Sequence, residues 1–565
     1  MEVACDERKV ERLVRELGLE PLAARVLACR GLSEPAEAEQ FLASRLADLP
    51  DPFLMKGMEP AVARLERALR ERQRIALYGD YDVDGVTATA LLAGFLEAVG
   101  GDVITYVPHR LTEGYGLNVE AVRRLAARGA RLLVALDCGI TGVAEVQEAA
   151  HQGVDAVVVD HHTAPVELPR AVAILNPHQP GCDYPYKPLA AVGVTFCLTM
   201  ALRKRLRESG WFERGRPEPN LREALDLVAL GTVADVVALT GVNRILVRFG
   251  LETLSNTRRP GLRALKRVAG LSEGAPVSAG QIGFRLGPRI NAAGRLDDAS
   301  RGVRLMLERA EPAAMALAEE LDRENRARQE IERQILEEAT SLATERVSAG
   351  ARGLVLGREG WHSGVIGIVA SRIVERFHRP TVLVGVSEGV GRGSGRSIEG
   401  FHLHEALAHC AQHLTRFGGH RHAAGVTLDA SALPAFREAF EARAAERLAP
   451  EDLVPRCRIE GRCAPGEVTE RAARSIERLA PFGAGHPEPL FALRGLPARA
   501  RTVGADGVHL KLAFGPGLDA IGFSLGDRLE LCRGEVEAAV ALAFDAFDGP
   551  ARLQLKIKDL RSVSG

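Results

Sequence analysis

Long apolar runs are missing from this 565-residue chain. No stretch approaches the ~20 residues that would span a bilayer, so no membrane role is expected. A strong charge of either sign is missing too. Lys and Arg number 73 against 74 Asp and Glu, for a net charge of -1. That excludes a global basic field, so any nucleic-acid binding must come from local basic clusters. The 9 cysteines form no Cys-x-x-Cys pair and no regular spacing. They read as reduced thiols. Met1 to Lys9 is too charged for the apolar core of a secretory signal, and a cytoplasmic location is expected. Repeats and low-complexity tracts are also lacking. What remains is a soluble globular composition, 46% hydrophobic and 26% charged. The chain is too long for one ordinary core, which implies several domains.

Against that background, four acidic clusters stand at the ends of apolar runs: Asp80-Tyr81-Asp82-Val83-Asp84, Asp137, Asp160-His161-His162 and Asp235. Carboxylates repel one another, and crowding them is costly unless cations neutralise them. Oxygen ligands with imidazole suit manganese or magnesium better than a soft metal. Two such ions ~3.5–4 Å apart form the clamp used for in-line attack on a phosphate ester.

The runs themselves read as buried strands: Arg74 to Tyr78, Arg131 to Leu136 and Asp155 to Val159. Helix-like stretches alternate with them, Val86 to Val99, Val119 to Ala127 and Val143 to Ala150. Strands alternating with helices imply a parallel, doubly wound sheet. Sites in such sheets form in the crevice beyond the carboxyl ends of the strands, so the first three clusters are expected on one rim. The run before Asp235, Leu227 to Ala234, reads equally as helix or strand. Taken alone, Asp137 is an ordinary turn or helix-cap residue, and adjacent histidines are ordinary surface residues. The joint pattern is what points to a metal site.

Gly79 to Gly85, Leu136-Asp137-Cys138-Gly139, Asp160-His161-His162 and the Asp235 segment resemble the four motifs of the DHH phosphoesterase superfamily. The nearer resemblance is to its RecJ family of single-strand-specific 5′→3′ DNA exonucleases. It extends through Arg110–Asn118, Gly287–Arg295, Gly360–Gly367, Phe417–Gly425 and Pro481–Pro489. Each motif is weak alone, and their number and order carry the resemblance.

The expected architecture is α/β. A helical segment covers residues 1–50 and a parallel-sheet DHH domain 51–305. Residues 306–350 read as one long connecting helix, charged and poor in Pro and Gly, with an apolar stripe too sparse for clean heptads. Residues 351–449 return to alternating strands and helices, and the resemblance makes them a smaller α/β DHHA1 domain. Short strands with Gly turns over 450–565 suggest a small barrel, which the resemblance makes an OB-fold binding single strands. Trp211 to Asn220 reads as an exposed loop.

A nuclease also needs donors for the phosphates it does not cut. Gly391 to Ser397 reads either as an ordinary turn or as an anion nest, with Arg392 and Arg396 as forked donors and Ser394 and Gly395 beside them. The resemblance assigns Gly419, His420 and His422 to the substrate backbone. Arg110, Arg289 and Arg295 are expected phosphate clamps, and Arg289, Ser371 and Arg372 candidates for reading the 5′ end, although arginines of this kind serve equally in structural ion pairs.

The expected reaction is phosphodiester hydrolysis with Mn2+ or Mg2+, two ions in all. Asp82, Asp84, Asp137, His161 and Asp235 are the expected ligands, with Asp137 bridging and His162 meeting transition-state charge. Asp80 and Asp160 are placed at the metal or behind it as orienters. The resemblance implies single-stranded DNA as substrate, mononucleotide products, a role in DNA repair and recombination, and a helicase and a single-stranded-DNA-binding protein as partners. Two other readings are open. A small-nucleotide phosphodiesterase of the same superfamily usually lacks the Pro481–Pro489 stretch and the barrel. A non-catalytic DNA-binding relative has eroded metal ligands, whereas here each expected Asp and His is present.

Overall fold

The computed structural model describes residues 1–110, 112–213, 215–296, 298–515, 517–545 and 551–563. Leu111 of the Arg110–Asn118 stretch, Arg214 of the expected loop, and residues 546–550 and 564–565 of the expected barrel lie outside the described residues.

The first body is built on five strands, β1 (Arg74–Gly79), β2 (Asp102–Tyr106), β3 (Ala130–Leu136), β4 (Asp155–Val159) and β5 (Ala173–Leu175). All pair in parallel, in the order β2-β1-β3-β4-β5. Their near-continuous apolar composition follows from burial on both faces. Ile75, Leu77, Leu132, Val134, Val157 and Val159 enter one core, while Ala76, Tyr78, Leu133, Ala135 and Val158 enter another. The first core is closed by α4 (Met58–Arg70), α5 (Val83–Ala98), α8 (Ala191–Glu208) and α9 (Leu225–Ala234). The second is closed by α6 (Val119–Ala127) and α7 (Val143–His151).

Strand order reverses between β1 and β3, which opens a crevice at their carboxyl ends. Gly79 pairs with Leu136, and Leu136 with Val159. The next amides continue the ladder: Asp80 N–H donates to Leu136 O at 3.2 Å, Asp137 to Val159 O at 2.9 Å and Asp160 to Leu175 O at 3.0 Å. Register alone therefore sets three acidic residues side by side on one rim.

The Leu227–Ala234 run, open between helix and strand, is helical. Burial all round α9 removes any amphipathic signature, which is why the run has no readable period. The rest of this body is helical: α10 (Gly241–Ser255), α11 (Pro260–Val268), α12 (Ala279–Gln281), a π turn over Ile282–Leu286, α13 (Gly287–Leu296) and α14 (Ser300–Leu307).

Helix α15 (Glu311–Ser348) has 38 residues and spans about 57 Å. Its sparse stripe reflects a change of partner halfway. Ala314, Leu317, Ala318 and Leu321 belong to the first body's core, whereas Ile335, Ala339 and Ala343 belong to the second's. Between them, Asp322, Asn325 and Arg328 are buried polar residues at the junction.

The second body has β6 (Leu354–Glu359), β7 (Thr381–Ser387), β8 (Val390–Arg396), β9 (Arg416–Gly419) and β10 (Ala423–Asp429) in the order β6-β7-β8-β10-β9. Helices α15 and α16 (Ile366–Phe377) cover one face, α17 (Leu403–His409) and α18 (Leu433–Arg447) the other.

The third body is a seven-stranded sheet: β11 (Gly461–Cys463), β12 (Phe491–Gly495), β13 (Arg499–Val503), β14 (His509–Ala513), β15 (Asp519–Gly522), β16 (Val536–Asp545) and β17 (Arg552–Ser562). Helix α19 (Glu470–Glu477) packs on it. So do the N-terminal helices α1 (Glu7–Leu17), α2 (Pro21–Cys29) and α3 (Pro35–Ala43). Val10, Leu13 and Leu27 share one core with Phe491, Leu493, Val540 and Leu555, and Val3 N–H donates to Ile459 O at 2.9 Å. Residues 1–43 are thus physically part of the C-terminal body rather than a separate segment.

This body docks beside Asp235. Leu239 N–H donates to Ala484 O at 2.7 Å. A Cβ at Gly483 would stand 2.7 Å from Leu239 Cδ1, and one at Gly485 2.8 Å from Ala238 Cβ. The glycines of the Pro481–Pro489 stretch therefore permit close approach to the loop that follows Asp235.

Leu27→Ala should cost about 2–5 kcal/mol. Hydrogen exchange is expected to rise together over α1–α3 and the β11–β17 sheet. Loosening confined to residues 1–43 would contradict the shared core.

Candidate metal centre

Asp82 and Asp84 are positioned by helix starts. Asp82 caps α5, its Oδ1 accepting from the amides of Asp84 (2.9 Å) and Gly85 (3.1 Å). Asp84 is fully buried and caps a second helix: its oxygens accept from Ala191 N (2.6 Å) and Val192 N (2.8 Å) at the start of α8. Helix N-termini carry free amides and partial positive charge, which suits carboxylates. A Cβ at Gly85 would lie 2.6 Å from the Asp80 backbone, so a side chain there would push Asp80 out of place.

His161 is the hub. Its Nε2 lies 3.3 Å from Asp137 Oδ1, 3.6 Å from Asp235 Oδ2 and 3.9 Å from Asp84 Oδ2. Asp235 ends α9, and Asp137 sits at φ 63°, a left-handed conformation for a residue with a side chain. Asp80, Asp82 and Asp137 form an adjoining group, and Asp137, His161 and His162 a third.

Four buried atoms in this cluster have no hydrogen-bond partner: Asp80 Oδ1, Asp137 Oδ1, His161 Nε2 and Asp235 Oδ2. Buried polar atoms are normally satisfied. Four orphans converging on one volume are what a site for hard cations looks like before the ions are counted. The charge pattern agrees. Burial, and then the charge of Asp84, pushes Asp235 up to about 9. Burial, and then Asp82, pushes Asp84 up to about 7, and burial with Asp82 or Asp84 raises Asp80 and Asp137 well above the carboxylate range. Burial, with His162 adding to it, lowers His161 to about 4, so the ring keeps a lone pair for a metal at neutral pH.

Asp160 stands behind the two histidines. Its Oδ1 accepts from His161 N (2.7 Å), His162 N (3.0 Å) and His162 Nδ1 (2.7 Å), and its Oδ2 from Ile140 N (3.0 Å). Both oxygens accept from the protein, and among the described residues Asp160 belongs to none of the donor groupings that could hold an ion. Burial pulls the Asp160 carboxyl up, but the hydrogen bonds and charge of His162 together with the Ile140 amide outweigh it and the group is lowered. His162 is raised in return, against the effect of burial.

The centre opens into a cavity of about 320 Å³ lined by Asp80, Tyr81, Asp82, Arg110, Tyr115, His162, Ala234, Asn291 and Arg295. Arg110 stacks over the Tyr81 ring at 4.9 Å. Arg295 donates to Gly364 O at 2.9 Å and so bridges the first two bodies. Arg396 donates to Ser394 Oγ at 3.1 Å. Burial, and then repulsion from Arg110, lowers Arg295 to about 10 and lowers Arg396 as well. None of the three has a carboxylate partner among the described residues. Guanidinium groups crowded in this way call for an anion.

Other expected contacts fall elsewhere. Gly391 to Arg396 is not a nest but strand β8, and none of its glycines has positive φ. Each glycine avoids a collision: a Cβ at Gly393 would meet Val426 Cγ2 at 2.5 Å and one at Gly395 Leu403 Cδ2 at 2.9 Å. Arg392, Ser394 and Arg396 alternate onto the other face. Arg289 is engaged within the protein: it donates to Asp322 Oδ1 (2.9 Å), Arg285 O (2.6 Å) and Val268 O (3.3 Å). Ser371 bonds within α16 to Gly367 O (3.3 Å), and Arg372 lies 3.6 Å from Glu332. Gly419, His420 and His422 lie at the exposed β9–β10 turn, where Gly419 has φ 141°. Tyr115, Tyr81 and Asn291 line the cavity without having been singled out. Asn291 Oδ1 accepts from Val83 N at 3.2 Å. All three sit inside motif stretches, and that was their only signal.

Three families match in chain order: the DHH family, N-terminal domain, over residues 74–232, the DHHA1 domain over 342–446 and the RecJ OB domain over 459–559. The chain is 41% identical over 561 residues to the single-stranded-DNA-specific exonuclease RecJ of Escherichia coli, covering 96% of each. To the protein of the same name from Bacillus subtilis it is 36% identical over 562 residues, 98% of this chain and 70% of the relative. Among solved structures, RecJ of Thermus thermophilus in complex with Mn2+ superposes with a TM-score of 0.84 at 35% identity, covering 100% of this chain and 80% of the other.

The raised carboxyls set a pH dependence. Unfolded carboxyls titrate near ~4. The folded, ion-free centre holds protons on Asp84 to about 7 and on Asp235 to about 9. Stability from this source is present at low pH and lost as pH rises through those values. The melting temperature of chelator-treated protein should therefore fall between about pH 6 and pH 9. Calorimetric titration of Mn2+ in buffers of different ionisation enthalpy should show proton release at neutral pH. Binding without proton release would contradict the protonated, ion-free centre.

Proposed function

The chain belongs to the RecJ family of single-stranded-DNA-specific exonucleases, and from that premise we propose that its acidic centre hydrolyses the phosphodiester bonds of single-stranded DNA from the 5′ end, with Mn2+ or Mg2+ bound. The observation that carries this reading is the set of four unpartnered donor atoms on Asp80, Asp137, His161 and Asp235. Asp84, His161 and Asp235 would hold one ion and Asp80, Asp82 and Asp137 a second, with Asp137 near both. Such ions neutralise the carboxylates and make bound water acidic enough to supply a nucleophile.

The protein's own groups do the rest. Asp160 fixes His162 through Nδ1 at 2.7 Å, leaving Nε2 for the cavity, where it meets charge developing on the phosphate. Arg110, Arg295 and Arg396, with Ser394, hold phosphate across the seam between the first two bodies. An arginine cluster beside the metal centre also suits a terminal phosphate, and this supports 5′-end selection by these residues. Arg392 and the exposed His420 and His422 of the β9–β10 turn would contact the backbone further along. A cavity of about 320 Å³, at the small end of ligand sites, supports release of mononucleotides. Such an enzyme consumes unwound strand in DNA repair and recombination, in the cytoplasm, and a helicase and a single-stranded-DNA-binding protein are its natural partners. Among the described residues no helix is long and apolar enough to cross a membrane.

His161→Ala should slow cleavage of a 5′-phosphorylated single strand about 10²–10³-fold or more while leaving strand affinity nearly unchanged. Equal collapse of binding would make His161 structural. Arg396→Ala should instead weaken strand binding and reduce the slope of log affinity against log salt by about one. An unchanged slope would take Arg396 out of the phosphate path.

A further inference from the structure

Tyr115 is placed unlike any other aromatic residue near the centre. Its ring is half-exposed, 53% overall, yet its hydroxyl turns inward. The hydroxyl oxygen lies 3.2 Å from Nε2 of His162 and 3.4 Å from its Nδ1, so it touches the ring at both nitrogens. It also lies 3.4 Å from the backbone oxygen of Asp137, to which it can donate. The two rings meet edge to face, with centroids 5.8 Å apart.

The partners of His162 are then accounted for. Nδ1 donates to Asp160, whose carboxylate can only accept. Among the described residues, the Tyr115 hydroxyl is the one side-chain group in hydrogen-bond range of Nε2. Asp160 fixes one edge of the imidazole but leaves the ring free to pivot about that bond. A second contact, tied to the Asp137 carbonyl, removes the pivot. Tyr115 itself is held by its neighbours: its ring packs edge-on to Tyr81 at 6.3 Å, and Gly116 O accepts from the Tyr78 hydroxyl at 2.9 Å.

Resting on the exonuclease reading above, we propose that Tyr115 is a positioning residue for the hydrolysis. Its hydroxyl sets the orientation of the His162 ring beside the reacting phosphate, and couples that ring to the strand end that carries Asp137. The hydroxyl transfers no proton in this scheme and touches no ion. The conservative change therefore removes orientation and nothing else. A misplaced catalytic group costs rate rather than substrate affinity.

The test is a double-mutant cycle on single-turnover cleavage of a 5′-phosphorylated single strand with Mn2+, using wild type, Tyr115→Phe, His162→Ala and the double variant. Tyr115→Phe should lower kcat about tenfold with KM within about twofold. Its Mn2+ isotherm and melting temperature should match wild type. In the double variant the loss should equal that of His162→Ala alone, because the hydroxyl then has nothing to orient. Full activity in Tyr115→Phe would overturn the proposal. So would losses that multiply in the double variant, or a kcat loss accompanied by weaker Mn2+ binding. Absence of cleavage by wild type would overturn the exonuclease reading and this proposal together, whereas wild-type cleavage with multiplying losses would remove only the role of Tyr115.

Discussion

Mutual repulsion among buried carboxylates is the constraint from which the rest of this structure follows. Asp80 and Asp137 are buried at adjacent strand ends and Asp84 in the first turn of α5, with Asp82 and Asp235 half-buried against them. Like charges at such distances resist ionising together, and burial adds to the resistance. The fold offsets part of this by aiming two helix starts at the cluster, α5 at Asp82 and α8 at Asp84. It leaves Asp80, Asp137 and Asp235 each with an unpartnered oxygen. An arrangement that satisfies some carboxylates with amides and withholds partners from others has reserved the remainder for cations.

The opposite charge is treated in the same way across the cavity. Arg110, Arg295 and Arg396 come from two bodies and crowd one another without a carboxylate between them. The centre withholds anions from its arginines and cations from its acids, so a phosphate with bound metal completes both. Helix α15 makes this possible by belonging to two cores at once. The C-terminal body reaches the same rim through Ala484 and the loop after Asp235.

Much of this was legible in the sequence, for a definable reason. Parallel strands buried on both faces are written as unbroken apolar runs, and an Asp at the end of such a run marks the rim. The β1, β3 and β4 runs, the helices between them and the long connecting helix were readable on those terms. Long-range packing was not. Nothing in α1–α3 announces that Leu13 and Leu27 pack against strands more than 400 residues later. Gly391 to Arg396 misled because glycine-rich segments suggest turns. The period-2 alternation of Gly with Arg392, Ser394 and Arg396 was the strand signal, and close packing under Val426 and Leu403 is the reason for the glycines. Arg289 and Arg295 are alike in sequence, and only the fold gives one a carboxylate and leaves the other beside the acids. Tyr115 could not be singled out at all, since its role depends on where one hydroxyl oxygen comes to rest.

The central claim is that the unpartnered donors would hold two cations, with Asp137 near both. Electron paramagnetic resonance during a Mn2+ titration of wild type and Asp137→Ala tests it directly. The account predicts two ions per chain, close enough for their spins to couple, and loss of the coupled signal in Asp137→Ala. One ion per chain, or two uncoupled ions indifferent to Asp137, would contradict it.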